Sequence, residues 1–169
     1  LHPAILGMDC RSAPQAERCA DVLGAKALFE ETGMRPHPLN SLTKVLLLRA
    51  LAPAIFGRMA RIATYADFIL GKLGGEAAID YTMASRTMAF ESGNLRWSER
   101  IHKALDLDKA IWSKPVPSGT VIGKIRPTLA EELGLPPTLR LVAGGHDQTC
   151  AALGAGGSCP GLGVVSTGT

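Results

Sequence analysis

Apolar residues recur every three or four positions through the first half of the chain, which is the spacing of helices that bury one face. Ser12 and Gln15 have the spacing of a capping box, with Pro14 in the first turn, so they predict where the first helix begins. Gly33 predicts where that helix ends. Its buried face is predicted to contain Ala16, Cys19, Ala20, Leu23 and Ala27. An apolar run before the helix, residues 3–8, predicts a short buried strand.

A layer of further helices is predicted to follow. Asn40 or Ser41 can cap a second helix, which Pro53 interrupts. Its inward face is predicted to contain Leu42, Val45 and Leu46. Residues 54–63 predict a third helix, and a fourth is expected to follow a cap at Thr64. We interpret the apolar stripes of these helices as faces packed into one core.

The second half of the chain alternates strands with short helices. Residues 80–91 are rich in Thr, Ser and Met and have no helical stripe, so a strand or an extended loop is expected there. Further strands are predicted at Thr120–Ile125, Leu139–Ala143 and Gly163–Val165. Helices are predicted from Ser98 to Leu107, at Leu129–Leu133 and at Asp147–Leu153. This alternation indicates an α/β domain built from packed layers.

The composition is that of one globular domain and excludes several classes of protein. The chain has 169 residues, of which 46% are hydrophobic and 20% are charged, and its net charge is +3. Lys and Arg form no long run, so no nucleic-acid surface is predicted. No apolar run approaches the roughly 20 residues that span a bilayer, so no membrane segment is expected. The four cysteines lack metal-ligand spacing, and we expect reduced, mostly buried thiols in a cytoplasmic protein.

The strongest candidate site follows the predicted strand at residues 139–143, where Gly144 and Gly145 lead to His146 and Asp147. Ligands of open α/β sheets bind beyond the carboxyl ends of strands, and the two glycines permit a close approach. A helix N-terminus stabilises a carboxylate by about 0.3–1 kcal/mol, which suits a proton acceptor. The same position also suits an acid that only caps the helix, so both roles stay open. His146 can orient a ligand there, although a structural role also accounts for it.

The end of the chain contains a second candidate. A strand that enters the turn Thr167-Gly168-Thr169 can offer hydroxyls and backbone N–H groups to a phosphate, although the same pattern is common in ordinary turns. The neighbouring His146 and Asp147 also allow a metal-dependent phosphohydrolase as an alternative. That class needs further ligands, and no ligand-like spacing is found for the remaining histidines, which are His2, His37 and His102.

Seven segments in order along the chain can be compared with known motifs. In the first half they are Pro3–Arg11, similar to "PAILWxDxR", Thr32-Gly33 with Pro38 and Lys44, similar to "TG…P…K", and Asp67–Glu76, similar to "DYL…LTGE". In the second half they are Asp80–Thr87, similar to "DYSNASRT", then Trp97, then Gly144–Asp147, similar to "GxxD", and finally Gly168-Thr169, similar to the start of a phosphate loop. Together these segments resemble the FGGY family of carbohydrate kinases over nearly the whole chain.

The resemblance implies an actin-like, ribonuclease-H-like α/β ATPase fold, in which ATP with Mg²⁺ and a sugar meet in a cleft between two domains. It implies that residues 1–169 are an incomplete N-terminal, sugar-binding domain with a helical layer. The first phosphate loop and the C-terminal domain are expected to lie outside these residues. Residues 1–169 alone are therefore expected to bind ATP poorly and to lack kinase activity.

The resemblance also implies roles for individual residues. Asp147 matches the general base that takes the proton of the sugar hydroxyl as it attacks the γ-phosphate of ATP. The turn that holds the γ-phosphate is matched by Thr167, Gly168 and Thr169. Asp9, Arg11 and His146 are expected near the sugar, although an ion pair at a strand end also accounts for the first two.

Two departures from the family pattern bear on the substrate. Gly7 stands where the family usually has Trp, and Leu39 stands where glycerol kinases have a substrate-contacting Tyr. The glycine is expected to alter the sugar pocket, and Leu39 favours a longer sugar or a sugar acid over glycerol. The implied partners are that sugar, ATP and a second copy in a homodimer, with neither nucleic acid nor membrane. The alternative is a non-catalytic sugar-binding or regulatory module on the same fold, and the presence of both Asp147 and the phosphate turn counts against it.

Overall fold

The computed structural model describes residues 3–167. Its helices are α1 (Ala13–Leu23), α2 (Ala25–Thr32), α3 (Ser41–Leu51), α4 (Pro53–Phe56), α5 (Tyr65–Leu73), α6 (Tyr81–Ser85), α7 (Glu99–Ala104), α8 (Pro127–Glu132) and α9 (Asp147–Gly154). Its strands are β1 (Ala78–Asp80), β2 (Phe90–Glu91), β3 (Arg96–Trp97), β4 (Lys114–Val116), β5 (Val121–Lys124) and β6 (Arg140–Val142). The mixture of short helices and strands confirms the predicted α/β class.

The strands pair in twos. β1 runs parallel to β4, so that Asp80 lies opposite Val116, and both strands end at the same edge. β5 and β6 are antiparallel, with a bulge between Val121 and Gly123, and β2 and β3 are also antiparallel. Backbone hydrogen bonds from Gly119 N to Ala143 O (2.8 Å) and from Ala143 N to Thr120 O (2.9 Å) continue the β5–β6 pairing past β6. The chain therefore leaves β1, β4 and β6 close to one another.

Two groups of apolar side chains form the core. The larger group joins α1, α2 and α3 to the β2–β3 hairpin and α7, and its fully buried members include Leu28, Leu42, Phe90, Ile101 and Leu105. Within it, the rings of Phe90 and Trp97 meet edge to face at 5.5 Å, and those of Trp97 and Trp112 stack at 5.1 Å. The smaller group lies between the β1–β4 and β5–β6 pairs and contains Ala78, Val116, Ile122, Leu141 and Ala143. This smaller core supports the strands that lead into the candidate site.

The inward face predicted for the second helix is confirmed, that of the first helix is confirmed in part, and the capping box is wrong. Ala16, Cys19 and Leu23 are buried, as predicted. Ser12 precedes α1 without capping it, because its hydroxyl is hydrogen-bonded to Thr43 Oγ1 at 3.0 Å. The buried Oε1 atom of Gln15 has no hydrogen-bond partner in the described part of the chain.

Several predicted boundaries also differ from the structure. The predicted first helix is two helices, because Gly24 has a φ of 76° that breaks the hydrogen-bond ladder, and Ala27 in α2 is exposed. The predicted third helix is the single turn α4, which ends at Phe56 with Gly57 as its C-cap. The helix after Ser98 ends at Ala104, since Asp106 has a φ of 51°. Residues 80–91, expected to be extended, include helix α6.

Strands predicted near both ends of the described chain are wrong. Residues 3–8 are irregular, and Leu6 and Met8 are 75% and 89% exposed. Residues 163–165 are also irregular, and Val165 is 86% exposed. A strand needs a partner for its backbone hydrogen bonds, and no strand among residues 3–167 pairs with either segment.

The structure also bears on the state of the cysteines and on membrane-spanning helices. All four cysteines have free thiols, as predicted, but only Cys19 is buried, so the expectation of mostly buried thiols is wrong. Burial raises the pKa of the Cys19 thiol to about 11. Among the helices of residues 3–167, none combines the length and the apolar character that crossing a membrane requires.

Candidate active site

Asp147 is the first residue of α9 and follows the end of β6 by five residues. His146 is the N-cap residue of α9, with extended backbone angles (φ −64°, ψ 136°), and residues 143–146 form the irregular glycine turn that joins β6 to α9. Gly145 allows this turn to lie against its neighbours. A Cβ atom added there would approach Cys150 Sγ to 2.7 Å and Thr82 Oγ1 to 3.5 Å. The predicted strand, glycine turn and helix are all present.

The two carboxylate oxygens of Asp147 have different surroundings. Oδ1 accepts a hydrogen bond from Gln148 N (2.7 Å) and lies 3.1 Å from His146 Nδ1. Oδ2 has no hydrogen-bond partner among residues 3–167. The Asp147 side chain is 79% exposed, whereas that of His146 is 23% exposed. One oxygen is therefore held in place while the other is open to a ligand.

The turn before Asp147 is held by a residue that the sequence analysis did not select. His146 N donates to Thr82 Oγ1 at 2.7 Å, across a separation of 64 residues. The Thr82 hydroxyl in turn donates to Asp80 Oδ2. Asp80 is buried at the carboxyl end of β1 and caps α6 by accepting from Thr82 N (2.8 Å) and Met83 N (3.4 Å).

Asp80 also reaches the neighbouring strand. Ser118 follows β4, and its hydroxyl donates to Asp80 Oδ2 at 3.2 Å. The side chain of Asp80 therefore links the ends of β1 and β4 and, through Thr82, the turn after β6. Of these contacts, only the capping of α6 could have been found from the sequence, because Asp is a common N-cap residue. The bonds to Ser118 and, through Thr82, to His146 join segments that are distant in sequence.

The last described residues lie close to the start of α9. Ser166 Oγ donates to Gln148 Oε1 at 2.8 Å, so the segment that precedes the predicted phosphate turn lies beside the start of α9. Thr167 is exposed. Gly168 and Thr169, the other two residues predicted to hold the γ-phosphate, lie outside the described residues.

Asp9 and Arg11 are bound to each other. The guanidinium group of Arg11 donates to both carboxylate oxygens of Asp9, with its NH2 group 2.6 Å from Oδ2. These hydrogen bonds from Arg11 lower the pKa of Asp9 to about 2. The Asp9 side chain is 17% exposed and that of Arg11 is 67% exposed. Within the described chain, neither side chain is hydrogen-bonded to His146 or Asp147.

Lys44 holds the segment that carries this ion pair. Its ammonium group donates to three carbonyl oxygens, those of Pro38 (2.7 Å), Asp9 (3.1 Å) and Gly7 (3.2 Å). Burial lowers the pKa of Lys44, and the nearby Asp9 carboxylate opposes that shift. Lys44 therefore holds the backbone at Gly7. Gly7 in turn lies close to Leu39, whose Cδ1 atom would be 3.5 Å from an added Cβ.

The alternative of a metal-dependent phosphohydrolase gains no support from the site. That class needs several His, Asp or Glu ligands around the metal. Within residues 3–167, no three or more His, Cys, Asp or Glu side chains come together in a ligand-like group. The contact between His146 and Asp147 is local to the turn.

Known proteins show the same pattern in sequence. Residues 1–154 match the FGGY family of carbohydrate kinases, N-terminal domain. The chain is 36% identical to a xylulose kinase of Streptomyces coelicolor, over all of this chain and 35% of that protein. It is 35% identical to a glycerol kinase of Thermus brockianus, over all of this chain and 34% of that protein. A xylulose kinase of Lactococcus lactis is 30% identical over all of this chain and 34% of its own length.

Solved structures show the same fold. A xylulose kinase from Rhodospirillum rubrum aligns with a TM-score of 0.87 at 23% identity, over 95% of this chain and 33% of that one. A ligand-bound xylulose kinase from Lactobacillus acidophilus aligns with a TM-score of 0.85 at 22% identity, over 92% and 32% of the two chains. The predicted actin-like fold is confirmed, and the chain spans about a third of the length of the curated relatives it matches. From its sequence match and these relatives, the chain belongs to the FGGY family of carbohydrate kinases.

Proposed function

We propose that the full-length protein is an ATP-dependent carbohydrate kinase in which Asp147 is the general base. The observation that carries this proposal is the asymmetry of the Asp147 carboxylate. Gln148 N donates to Oδ1, which also lies 3.1 Å from His146 Nδ1, while Oδ2 has no hydrogen-bond partner within residues 3–167. A general base has to reach a substrate proton while its own orientation is restrained, and this arrangement meets both requirements.

Phosphoryl transfer requires the protein mainly to position the reacting groups. In phosphoryl transfer the protein mainly aligns the attacking hydroxyl and stabilises charge. Asp147 Oδ2 accepts the proton that the sugar hydroxyl loses as its oxygen attacks the γ-phosphate. The hydrogen bond from Gln148 N to Oδ1 keeps the carboxylate at the exposed start of α9, where a bound sugar can reach it. His146 is assigned to orienting this carboxylate and the sugar.

We assign ATP to the segment that lies beside the start of α9. Ser166 is hydrogen-bonded to Gln148, and the hydroxyl of Thr167 is exposed, so both offer oxygen and N–H groups of the kind that bind phosphate. We assign the γ-phosphate to Thr167 together with Gly168 and Thr169, the last two from the sequence alone. When bound with ATP, Mg²⁺ neutralises phosphate charge, as in other kinases.

The sugar side of the site is assigned to the N-terminal segment. Asp9 and Arg11 present charged groups, although their mutual ion pair has to open or to share a sugar hydroxyl. Gly7 has no side chain beside Leu39, which leaves room there for a substrate larger than glycerol. We therefore propose a longer sugar or a sugar acid as substrate. Residues 1–169 are assigned to the N-terminal, sugar-binding domain, and a homodimer and a cytoplasmic location stay predictions.

The proposal is tested by Asp147→Asn in the full-length protein. Sugar-dependent release of ADP is first measured on a panel of polyols, ketoses and aldonates to find the substrate. Asp147→Asn is expected to lower kcat by about 10²–10⁴-fold, the usual contribution of a general base, while sugar binding by calorimetry stays near the wild-type value. Asp21→Asn, an exposed acid in α1, is the matched control.

Two results would contradict the proposal. Turnover of Asp147→Asn within a few-fold of wild type would show that another group takes the proton. Sugar binding without any sugar-dependent ADP release by the wild-type protein would favour the non-catalytic sugar-binding or regulatory module.

A further inference from the structure

Thr82 stands between a buried acid and the backbone of the turn that carries Asp147. Its hydroxyl donates to Asp80 Oδ2 and accepts the hydrogen bond from His146 N at 2.7 Å. A hydroxyl has one donor and two acceptor positions, so these two contacts fix its direction. A hydroxyl that donates to a carboxylate is also polarised, which strengthens it as an acceptor.

Asp80 is itself restrained from several sides. Its Oδ2 atom accepts from the backbone of α6 and from Ser118 Oγ after β4, and Asp80 lies opposite Val116 in the β1–β4 pair. Only 5% of the residue is exposed. Asp80 is therefore fixed at the carboxyl end of β1, and the turn at residues 144–146 is tied to it through Thr82.

We propose that Thr82 is a positioning residue for the phosphoryl transfer. Its hydroxyl links His146 N to the carboxylate of Asp80, and this link sets the direction in which Asp147 Oδ2 faces the sugar hydroxyl. This inference rests on the proposed role of Asp147 as the base. Thr82 touches neither sugar nor ATP in this role and acts only through the turn. No other side chain among residues 3–167 accepts the His146 N–H group.

The size of the effect follows from the geometry. Without the Thr82 hydroxyl, His146 N loses its acceptor and the turn is free to relax away from α6. Displacement of a reacting group by about 1 Å costs up to about 10²-fold in rate. A partial displacement is expected here, because backbone bonds at Ala143 and Cys150 still hold both sides of the turn.

The test compares Thr82→Val with Thr82→Ser in the full-length protein. Val keeps the shape and removes the oxygen, and is expected to lower kcat by about 10–100-fold with KM for the sugar changed less than about threefold. Ser keeps the oxygen and is expected to restore kcat to within about threefold of wild type. Thr120→Val is the matched control, because within residues 3–167 the Thr120 hydroxyl bonds only to Pro117 O (2.7 Å). If Thr82→Val does not fold, Thr82→Ala removes the same oxygen without placing a methyl group against Asp80.

A double variant separates positioning through Asp147 from general damage. In the Asp147→Asn background, Thr82→Val is expected to change the residual kcat less than about twofold, since the base it positions is gone. An equal fold-loss in both backgrounds overturns the inference, as does wild-type turnover in Thr82→Val. A folded Thr82→Ser protein whose kcat stays as low as that of Thr82→Val overturns the inference as well. If Asp147→Asn itself keeps its turnover, the proposed function fails first, and the two failures are thereby distinguished.

Discussion

Adding one methyl group at Gly145 tests how closely the turn must be held. A Cβ atom there would lie 2.7 Å from Cys150 Sγ, and ordinary contact begins at 3.4 Å, so the separation has to grow by about 0.7 Å. Cys150 sits in the first turn of α9, and its backbone N–H bonds to His146 O at 2.9 Å. The strain from Gly145→Ala is therefore passed to the residues on either side of Asp147.

We expect Gly145→Ala to lower kcat about tenfold, which corresponds to about 1.4 kcal/mol of transition-state stabilisation. A displacement of about 1 Å can cost about 10²-fold, and the side chain of Cys150 absorbs part of the shift by rotating. The assay is sugar-dependent ADP release from the full-length protein, with KM for sugar and for ATP measured separately.

The matched variant removes the obstacle. Cys150→Ala deletes the sulfur atom, so Gly145→Ala combined with Cys150→Ala is expected to recover kcat to within about threefold of Cys150→Ala alone. The same loss with and without the sulfur would refute the reasoning, because the loss would then not come from this contact. Full activity of Gly145→Ala alone would show that the turn tolerates the displacement.

Two further predictions concern stability. Burial lowers the pKa of His102, whose Nε2 accepts from Trp112 Nε1 at 2.8 Å, so the folded state resists the proton that the unfolded state binds near pH 6.5. The free energy of unfolding is therefore expected to fall as pH drops below about 6.5, until the lowered pKa is reached. His102→Gln is expected to lack this part of the pH dependence in urea titrations followed by tryptophan fluorescence. Lys44→Met is expected to lower the free energy of unfolding by about 1.5–3 kcal/mol, because three carbonyl oxygens lose a charged hydrogen-bond donor. Lys26→Met is the control: Lys26 forms an exposed ion pair with Glu30, and its loss should change the free energy of unfolding by less than about 0.5 kcal/mol. An unchanged midpoint in Lys44→Met would contradict the structural role, and an unaltered slope in His102→Gln would contradict the assignment to that ring.

The predictions that succeeded rest on short stretches of chain. Gly33 ends α2 in the left-handed conformation, Pro53 separates α3 from α4, and Asp147 begins α9 after a glycine turn. Each of these outcomes depends on the backbone preferences of one or two residues, which act whatever the rest of the protein does. The order of the family motifs is information of a different kind, and it predicts the fold from the sequence alone.

The predictions that failed depend on partners far along the chain. The capping box at Ser12 is wrong because Thr43, 31 residues away, takes the hydroxyl. The strand at residues 163–165 is wrong because a short apolar run cannot supply the neighbouring backbone that a strand pairs with. Helix α6 was missed because its N-cap bonds and buried residues, and not a helical stripe, hold it in place.

The sequence by itself determined the family, the helical faces and the position of Asp147 at a strand-to-helix turn, since these follow from local preferences and motif order. The tertiary structure alone decided what holds that turn. Parallel pairing of β1 with β4 brings the ends of distant segments to one edge, where Asp80, Thr82 and His146 form a chain of hydrogen bonds across 64 residues. Such a contact has no local signature, because a hydroxyl and a backbone N–H group are common everywhere and only their folded distance makes them partners.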